Sequence, residues 1–182
     1  MQGLRYTKAI ERNLAELQRE ILNRTTILGF ERERGITSLF LQIVYRALFN
    51  DYVGHCIKVF ERSKQSASFW YIYRTNQRQI DIFASKEKID IAFMEHVSTK
   101  LKHIRNKTHF HIDSQGVLDT KSVWRTAGLT GRELSTAVDT AWSILIHLQK
   151  ELALPEVKLP GFYNAAHAQE RVRAIESGKF KS

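Results

Sequence analysis

The sequence predicts an all-α fold: an up-down four-helix-type bundle with extra short helices and a C-terminal tail. The only two prolines, Pro155 and Pro160, lie near the C-terminal end, so no proline before them interrupts a long helix. Apolar residues recur at helical spacing in four long segments, and no period-two run is long enough for a sheet. We therefore predict a helical bundle domain at residues 1–154 and a proline-linked tail with a short helix at residues 155–182.

The first two helices are predicted from their apolar stripes. The first stripe predicts an amphipathic helix of about 20 residues and consists of Ile10, Leu14, Leu17, Ile21 and Leu28. Gly29 and Gly35 bracket the polar run ERER and predict a turn or helix break. The second helix, from Ile36, has two seams: Ile36, Leu39, Phe40, Ile43, Val44, Ala47 and Leu48, and on another side Leu41, Tyr45, Phe49 and Val53. A helix that is apolar on two sides is expected in the middle of a bundle.

The next segment, SKQSASFWYIYRTNQRQ, is polar before a short aromatic run. This pattern predicts a loop that enters a short helix, with a strand as the alternative. The aromatic run suits packing at a bundle end or stacking on nucleic-acid bases, and packing is our preferred interpretation. A third long helix is predicted from about Lys86 to about Lys107, with apolar residues at steps of four and three: Ile89, Phe93, Val97, Leu101 and Ile104.

The remaining helices have clear boundary signals. SQGVLDTKS contains a glycine and predicts a connection, after which Thr130 and Glu133 match a capping box that starts a fourth helix. The apolar seam of this helix consists of Leu134, Val138, Ala141, Leu145, Leu148 and Leu152. In the tail, Asn164 is predicted to cap a last short helix with the sequence AAHAQERVRAIES. Gly178 is predicted to end this helix.

Composition limits the classes of function. Cys56 is the only cysteine, which excludes an internal disulfide and a cysteine-built metal site, and we expect a cytoplasmic location. The chain has 28 Lys and Arg against 19 Asp and Glu, and its net charge of +9 attracts polyanions such as RNA. We find neither a transmembrane segment nor the apolar core of a signal peptide, and we expect no membrane partner.

The stretch RNKTHFHID, residues 105–113, brings several polar groups to the end of the third helix. His109, His111 and Asp113 suit a metal site only if the helix ends there, because side chains two residues apart on a helix point about 200° from each other. We therefore predict no metal and no other cofactor. Arg and His together suit metal-free cleavage of RNA, with an imidazole as acid and base and a guanidinium on the phosphate. The alternative is structural, since cations suit the dipole at a helix C-terminus.

The run Arg105-Asn106-Lys-Thr-His-Phe-His111 resembles the signature of the HEPN superfamily: an Arg, a polar residue, and a His after a gap of four to six residues. The gap here is five. The abortive-infection branch of that superfamily resembles the chain further, because Asp113 continues its motif, whereas Phe110 stands where a small residue is common. The segment from Phe60-Glu61-Arg62-Ser63 to Ser68-Phe69 is also similar to the loop after the second helix of that branch. The resemblance extends over roughly residues 8–152.

This resemblance implies a metal-independent endoribonuclease that works as a homodimer, with the two motifs facing each other across the interface. It implies that the ribose 2'-hydroxyl attacks the phosphate and that His111 performs the acid and base chemistry. It also implies that Arg105 binds the phosphate and that Asn106 positions the phosphate or Arg105. It also implies toxin or phage-defence biology, with an antitoxin as a candidate partner. The superfamily contains members without catalysis, so the alternative is an inactive helical dimer that binds protein or nucleic acid.

The helical register leaves open which histidine is catalytic. Arg105 and His109 share a helical face, whereas His111 lies about 120° from that face unless the helix unwinds after about Thr108. We predict Arg105, Asn106 and His111 as catalytic residues. We predict His109, Lys107, Asp113 and Asp51 as substrate-binding residues. Asp51 either orients Arg105 or forms the polar edge of the second helix.

Overall fold

The computed structural model describes residues 2–109 and 120–178, and all regular secondary structure in these residues is helical. The helices are α1 (Gln2–Arg32), α2 (Leu39–Phe60), α3 (Phe69–Thr75), α4 (Gln77–Lys86), α5 (Ile91–Ile104), α6 (Thr120–Ala127), α7 (Gly131–Glu151) and α8 (Ala165–Glu176). The all-α prediction is confirmed for these residues, and the strand alternative in the aromatic segment is wrong. Within the same ranges, no helix has both the length and the apolar character needed to cross a bilayer.

Three helix boundaries differ from the predictions. α1 has 31 residues against the predicted length of about 20, and it ends at Arg32, inside the ERER run that predicts a turn or helix break. The predicted third helix is interrupted, because α4 ends at Lys86 and α5 begins after Asp90, whose carboxylate accepts the backbone N–H of Phe93 at 3.0 Å. α6 begins at Thr120, inside the segment predicted as a connection. The interruption before α5 follows from this N-cap, which satisfies an amide that has no partner within the helix.

The chain divides into two compact units, Met1–Leu17 with Cys56–Val157 and Gln18–His55 with Lys158–Ser182. Each unit is discontinuous in sequence, whereas the predicted bundle and tail follow one another along the chain. In the first unit, α5 contacts α6 and α7, and α4 contacts α7. Fully buried side chains of this unit include Ile10, Leu14, Phe69, Met94, Leu101, Ile104 and Ile144.

The second unit contains α8, and two carboxylates hold this helix against the rest of the unit. Its buried apolar cluster consists of Phe30, Leu41 and Val172. The carboxylate of Glu176 accepts the backbone N–H of Thr37 at 2.6 Å and that of Ser38 at 3.1 Å, just before α2 begins. Arg173 donates from Nε and Nη2 to Glu33 at 3.1 and 3.0 Å. Residues after the prolines therefore supply part of the packing and capping of this unit.

Gly29 has a packing role in the second unit. A Cβ at this position would lie 2.4 Å from the Cβ of Ala168, far closer than two carbon atoms can approach. Only glycine therefore permits this distance between α1 and α8. The glycine serves a helix–helix contact, and α1 ends shortly after it at Arg32, so the turn or helix break predicted between Gly29 and Gly35 is confirmed.

α2 has two different halves. The second half is buried as predicted, with Val53, Cys56, Ile57, Val59 and Phe60 at most 5% exposed. In the first half, Leu39, Phe40 and Ile43 are 70%, 62% and 56% exposed. The prediction that α2 is buried on two sides is therefore wrong for its first half, although the apolar seams themselves are helical.

The predicted capping box at the start of α7 is present. The Thr130 hydroxyl accepts the backbone N–H of Glu133 at 3.1 Å, and the Glu133 carboxylate accepts the backbone N–H of Thr130 at 2.8 Å. Lys100 on α5 donates to the same carboxylate at 2.8 Å. The Lys100 ammonium, together with the Thr130 donors, lowers the pKa of Glu133 to about 2. This carboxylate therefore connects the N-terminal end of α7 to the side of α5.

We predict that Glu133→Gln makes the chain less sensitive to acid. The ordinary pKa of 4.5 falls to about 2 in the folded chain, so the charged carboxylate stabilises the fold above pH 4.5. This stabilisation is lost as the pH falls from 4.5 towards 2, and the glutamine variant lacks that loss. The measurement is urea unfolding of both proteins across this pH range. Glu11→Gln, in the exposed pair of Glu11 with Lys8, is the control. If the free energy of unfolding has the same pH dependence in the wild type and in Glu133→Gln, the prediction is contradicted.

Candidate functional site

The motif begins at the point where α5 changes its helical geometry. The buried face of α5 consists of Met94, Val97, Ser98, Leu101 and Ile104. Directly after the last of these, Arg105–His109 form a π-helical turn. A π-helix has i to i+5 hydrogen bonds, is rare, and occurs frequently at functional sites. The choice of His111 requires the helix to unwind after about Thr108. The described residues widen into a π-helical turn at Arg105 and stay helical through His109, and the residues that follow lie outside the described part of the chain.

The Arg105 guanidinium is held by two neighbours. Its Nη1 donates to the Glu61 carboxylate, and its Nε donates to the Asn106 side-chain oxygen at 3.1 Å. The side chains of Arg105 and Glu61 are 28% and 19% exposed, so the ion pair is mostly shielded from water. A guanidinium has five N–H donors, and these contacts engage two of them. Among the described residues, the arrangement fixes the cation in one place and leaves its other donors for a further acceptor.

Glu61 is itself anchored in the loop that follows α2. Its backbone carbonyl accepts the Ser68 hydroxyl at 2.5 Å, and its carboxylate accepts the backbone N–H of Ser63 at 3.2 Å. The residue therefore links the loop between α2 and α3 to the start of the π-helical turn. Helical periodicity cannot find such a partner, because Glu61 lies 44 positions from Arg105. The one signal in the sequence is the similarity of this loop to a HEPN-branch loop.

The other predicted site residues are only partly described. Asn106 is exposed and Lys107 is half-buried, both on the π-helical turn. The backbone of His109 belongs to that turn, and its side chain lies outside the described part of the chain. His111 and Asp113 lie wholly outside the described residues. The structure therefore places the Arg and Asn of the motif together, and the choice between the two histidines stays a prediction.

Asp51 is located on α2, in the second unit. Its carboxylate is 60% exposed, accepts from the Asn23 side chain at 2.7 Å and lies 3.2 Å from His55 Nε2. These contacts agree with its interpretation as the polar edge of α2. The carboxylate that orients Arg105 is that of Glu61.

The aromatic run before α4 contributes mainly to packing. Phe69 and Trp70 are 0% and 5% exposed, and the Trp70 indole N–H donates to the Ser98 hydroxyl at 2.8 Å. The Arg62 guanidinium lies 5.7 Å from the centre of the Trp70 ring and is also paired with Glu95. The preferred packing interpretation therefore fits these two rings, and a cation lies over one of them.

The solvent face of α5 adds further basic groups before the motif. His96 and Lys102 are exposed, and His103 is half-buried. Among the described residues, no group of three or more His, Cys, Asp or Glu side chains is arranged to hold a metal ion. The face that precedes Arg105 can attract a polyanion without a bound cation.

Comparison of the chain with protein-family models, curated proteins and solved structures found no match. The family resemblance therefore depends on the motif and on the loop after α2. The geometry adds a partly shielded guanidinium with a defined carboxylate partner.

We predict that Arg105 and Glu61 are energetically coupled. Removal of one partner leaves a partly buried charge unpaired, so Glu61→Ala and Arg105→Ala should each lower the free energy of unfolding. The double variant should lose less than the sum of the two, with a coupling energy of about 1–2 kcal/mol. Urea unfolding of all four proteins measures the cycle.

The pair of Arg62 with Glu95 is the matched control for this cycle. Its side chains are 44% and 49% exposed, so its coupling should be smaller, at most about 1 kcal/mol. Additive losses for Glu61→Ala and Arg105→Ala, or a coupling no larger than that of the control pair, would mean that the Arg105 contact is not a stabilising one.

Proposed function

We propose that this protein is a metal-independent endoribonuclease of HEPN type with a HEPN-like four-helix bundle, which acts in the cytoplasm as a toxin or in phage defence. Its substrate is RNA, its working form is a homodimer, and an antitoxin protein is its candidate regulator. The observation that supports this proposal best is the Arg105 guanidinium, which is held at the start of a π-helical turn by Glu61 and Asn106. The net charge of +9 supports the polyanionic substrate.

The proposed chemistry needs no cofactor. His111 takes the proton of the ribose 2'-hydroxyl, and the 2'-oxygen attacks the phosphorus. The bond from phosphorus to the 5'-oxygen breaks, and the imidazolium returns its proton to that oxygen. The products are a 2',3'-cyclic phosphate and a 5'-hydroxyl end. Arg105 binds the phosphate and stabilises the charge that develops in the transition state, and Asn106 keeps the guanidinium oriented.

The positioning of Arg105 is an advantage for this chemistry. A guanidinium already oriented before substrate arrives requires little reorganisation when the phosphate gains charge. Glu61 holds one edge of the cation, and the donors not engaged by Glu61 and Asn106 can bind phosphate oxygens. Lys107 and His109 follow on the same turn and contribute substrate contacts in this proposal, as does Asp113 after it.

We predict that the purified protein cuts single-stranded RNA in the presence of EDTA. Arg105→Ala and His111→Ala should each lower the cleavage rate at least about 100-fold, because each removes a group that acts in the transition state. Mass spectrometry of the RNA ends should show 2',3'-cyclic phosphates. A substrate with deoxyribose at the cleavage position should stay intact, since it lacks the nucleophile.

His167→Ala is the control for this experiment, because His167 is an exposed histidine on α8 outside the motif. Its cleavage rate should equal that of the wild type. Undiminished cleavage by a folded His111→Ala variant would exclude the assigned acid and base.

We predict that His109→Ala separates substrate binding from chemistry. If His109 contacts the substrate in both the ground state and the transition state, its removal raises KM several-fold and leaves kcat within about threefold. His111→Ala should instead lower kcat. Steady-state kinetics with one short RNA measures both values, and a large loss of kcat in His109→Ala with little change in His111→Ala would exchange the two roles.

One observation favours a second candidate, an inactive helical dimer that binds protein or nucleic acid. The charge of Arg105 is already balanced by Glu61, as in an ion pair with a purely structural role. This candidate predicts saturable binding of RNA or a protein partner without any cyclic-phosphate ends. It also predicts that Arg105→Ala changes the free energy of unfolding more than it changes binding.

A further inference from the structure

The first half of α2 borders an apolar pocket within the second unit. The pocket has a volume of about 310 Å³, and its apolar lining consists of Phe30, Ile36, Leu41 and Tyr45. The ring centres of Phe30 and Tyr45 lie 5.7 Å apart, and the ring planes are tilted by 52°. Two opposite charges, Glu31 and Arg46, also line it. The space is large enough for one or two side chains from another molecule.

Large apolar side chains project into solvent next to this pocket. Leu39, Phe40 and Ile43 are 70%, 62% and 56% exposed, and all three lie on the same two turns of α2 as the pocket residues Leu41 and Tyr45. Contiguous exposed apolar groups of this kind mark interaction surfaces on proteins. Single exposed residues elsewhere, such as Ile82 on α4, need no such explanation.

We propose that this surface binds a second copy of the same chain, with the first halves of two α2 helices packed against each other. In a two-fold contact the same patch occurs on both subunits. Each patch must therefore contain both the protruding side chains and the pocket that accepts those of the other subunit. Here the protruding residues Phe40 and Ile43 and the pocket occur within one stretch of helix. Each copy can therefore place its apolar side chains against the pocket of the other.

The charges of the pocket are self-complementary in the same way. Glu31 and Arg46 line one pocket, so a two-fold axis that passes beside the pocket can bring Arg46 of each copy towards Glu31 of the other. A small ligand that filled the pocket would leave Leu39, Phe40 and Ile43 in water. An unrelated protein would need both an apolar partner surface and this charge pair, whereas a second copy contains both. These two features favour the second copy as the occupant.

This inference rests on the homodimer of the proposed function and names a surface through which two copies associate. It is tested by molecular mass, whereas the proposed chemistry is tested by RNA ends. A monomeric protein that cuts RNA would overturn the interface alone, and a dimer through α2 that cuts no RNA would overturn the nuclease alone.

We predict that the full chain sediments at twice 21.2 kDa and that Phe40→Ser and Ile43→Glu each weaken this association about 30-fold or more. Both residues are exposed in the single chain, so circular dichroism should show unchanged helix content. Ile82→Glu is the matched control, since Ile82 is 64% exposed on α4 and its variant should stay dimeric. A wild type that stays monomeric up to several hundred micromolar, or a dimer indifferent to both α2 variants, would overturn the proposal.

Charge reversal tests the two-fold pairing itself. Glu31→Arg and Arg46→Glu each place like charges opposite one another in their own homodimer and should weaken it at least about tenfold. In an equimolar mixture, both contacts of the mixed dimer join opposite charges, so association should return to the wild-type level and weaken with added salt. Failure of the mixture to associate, although each variant is folded, would overturn the pairing of Glu31 with Arg46.

Discussion

The ion pair between Arg105 and Glu61 is the contact on which the candidate site depends. It joins the residue after α2 to the residue after α5, and the backbone carbonyl of Glu61 also accepts the Ser68 hydroxyl. Because both side chains are mostly shielded from water, neither charge can lose its partner without a substantial cost. The loop between α2 and α3 and the π-helical turn are therefore fixed relative to each other within the first unit.

This contact has two opposite effects on phosphate binding. The Glu61 carboxylate holds the guanidinium in place, which favours a preorganised anion site. The same carboxylate adds a negative charge next to any phosphate that Arg105 binds, which weakens the attraction. Basic groups nearby offset this repulsion, because His96 and Lys102 lie on the solvent face of α5 and the whole chain carries +9. The balance between orientation and repulsion decides whether Arg105 acts on RNA or only supports the fold.

Local signals in the sequence predicted local structure well, but they did not predict contacts between residues far apart in the chain. The capping box at Thr130 and the Asn164 N-cap depend on neighbouring residues, and both are present. The turn bracketed by Gly29 and Gly35 is also present, but the close contact of Gly29 with Ala168, 139 positions later, has no local signal in the sequence. Glu61 was not selected for the site because nothing in its surroundings shows that Arg105 is its partner. The roles of His109 and His111 stay predictions from the motif.

The first half of α2 shows a second limit of periodicity. An apolar stripe predicts that a helix face is buried, but it does not state which molecule buries it. Leu39, Phe40 and Ile43 have the spacing of core residues, and within one chain they lie in solvent beside an apolar pocket. Removing such a face from water is favourable in proportion to its area, whichever chain covers it. A helix apolar on several sides thus has the composition needed to serve the core of its own chain with one half and an interface with the other.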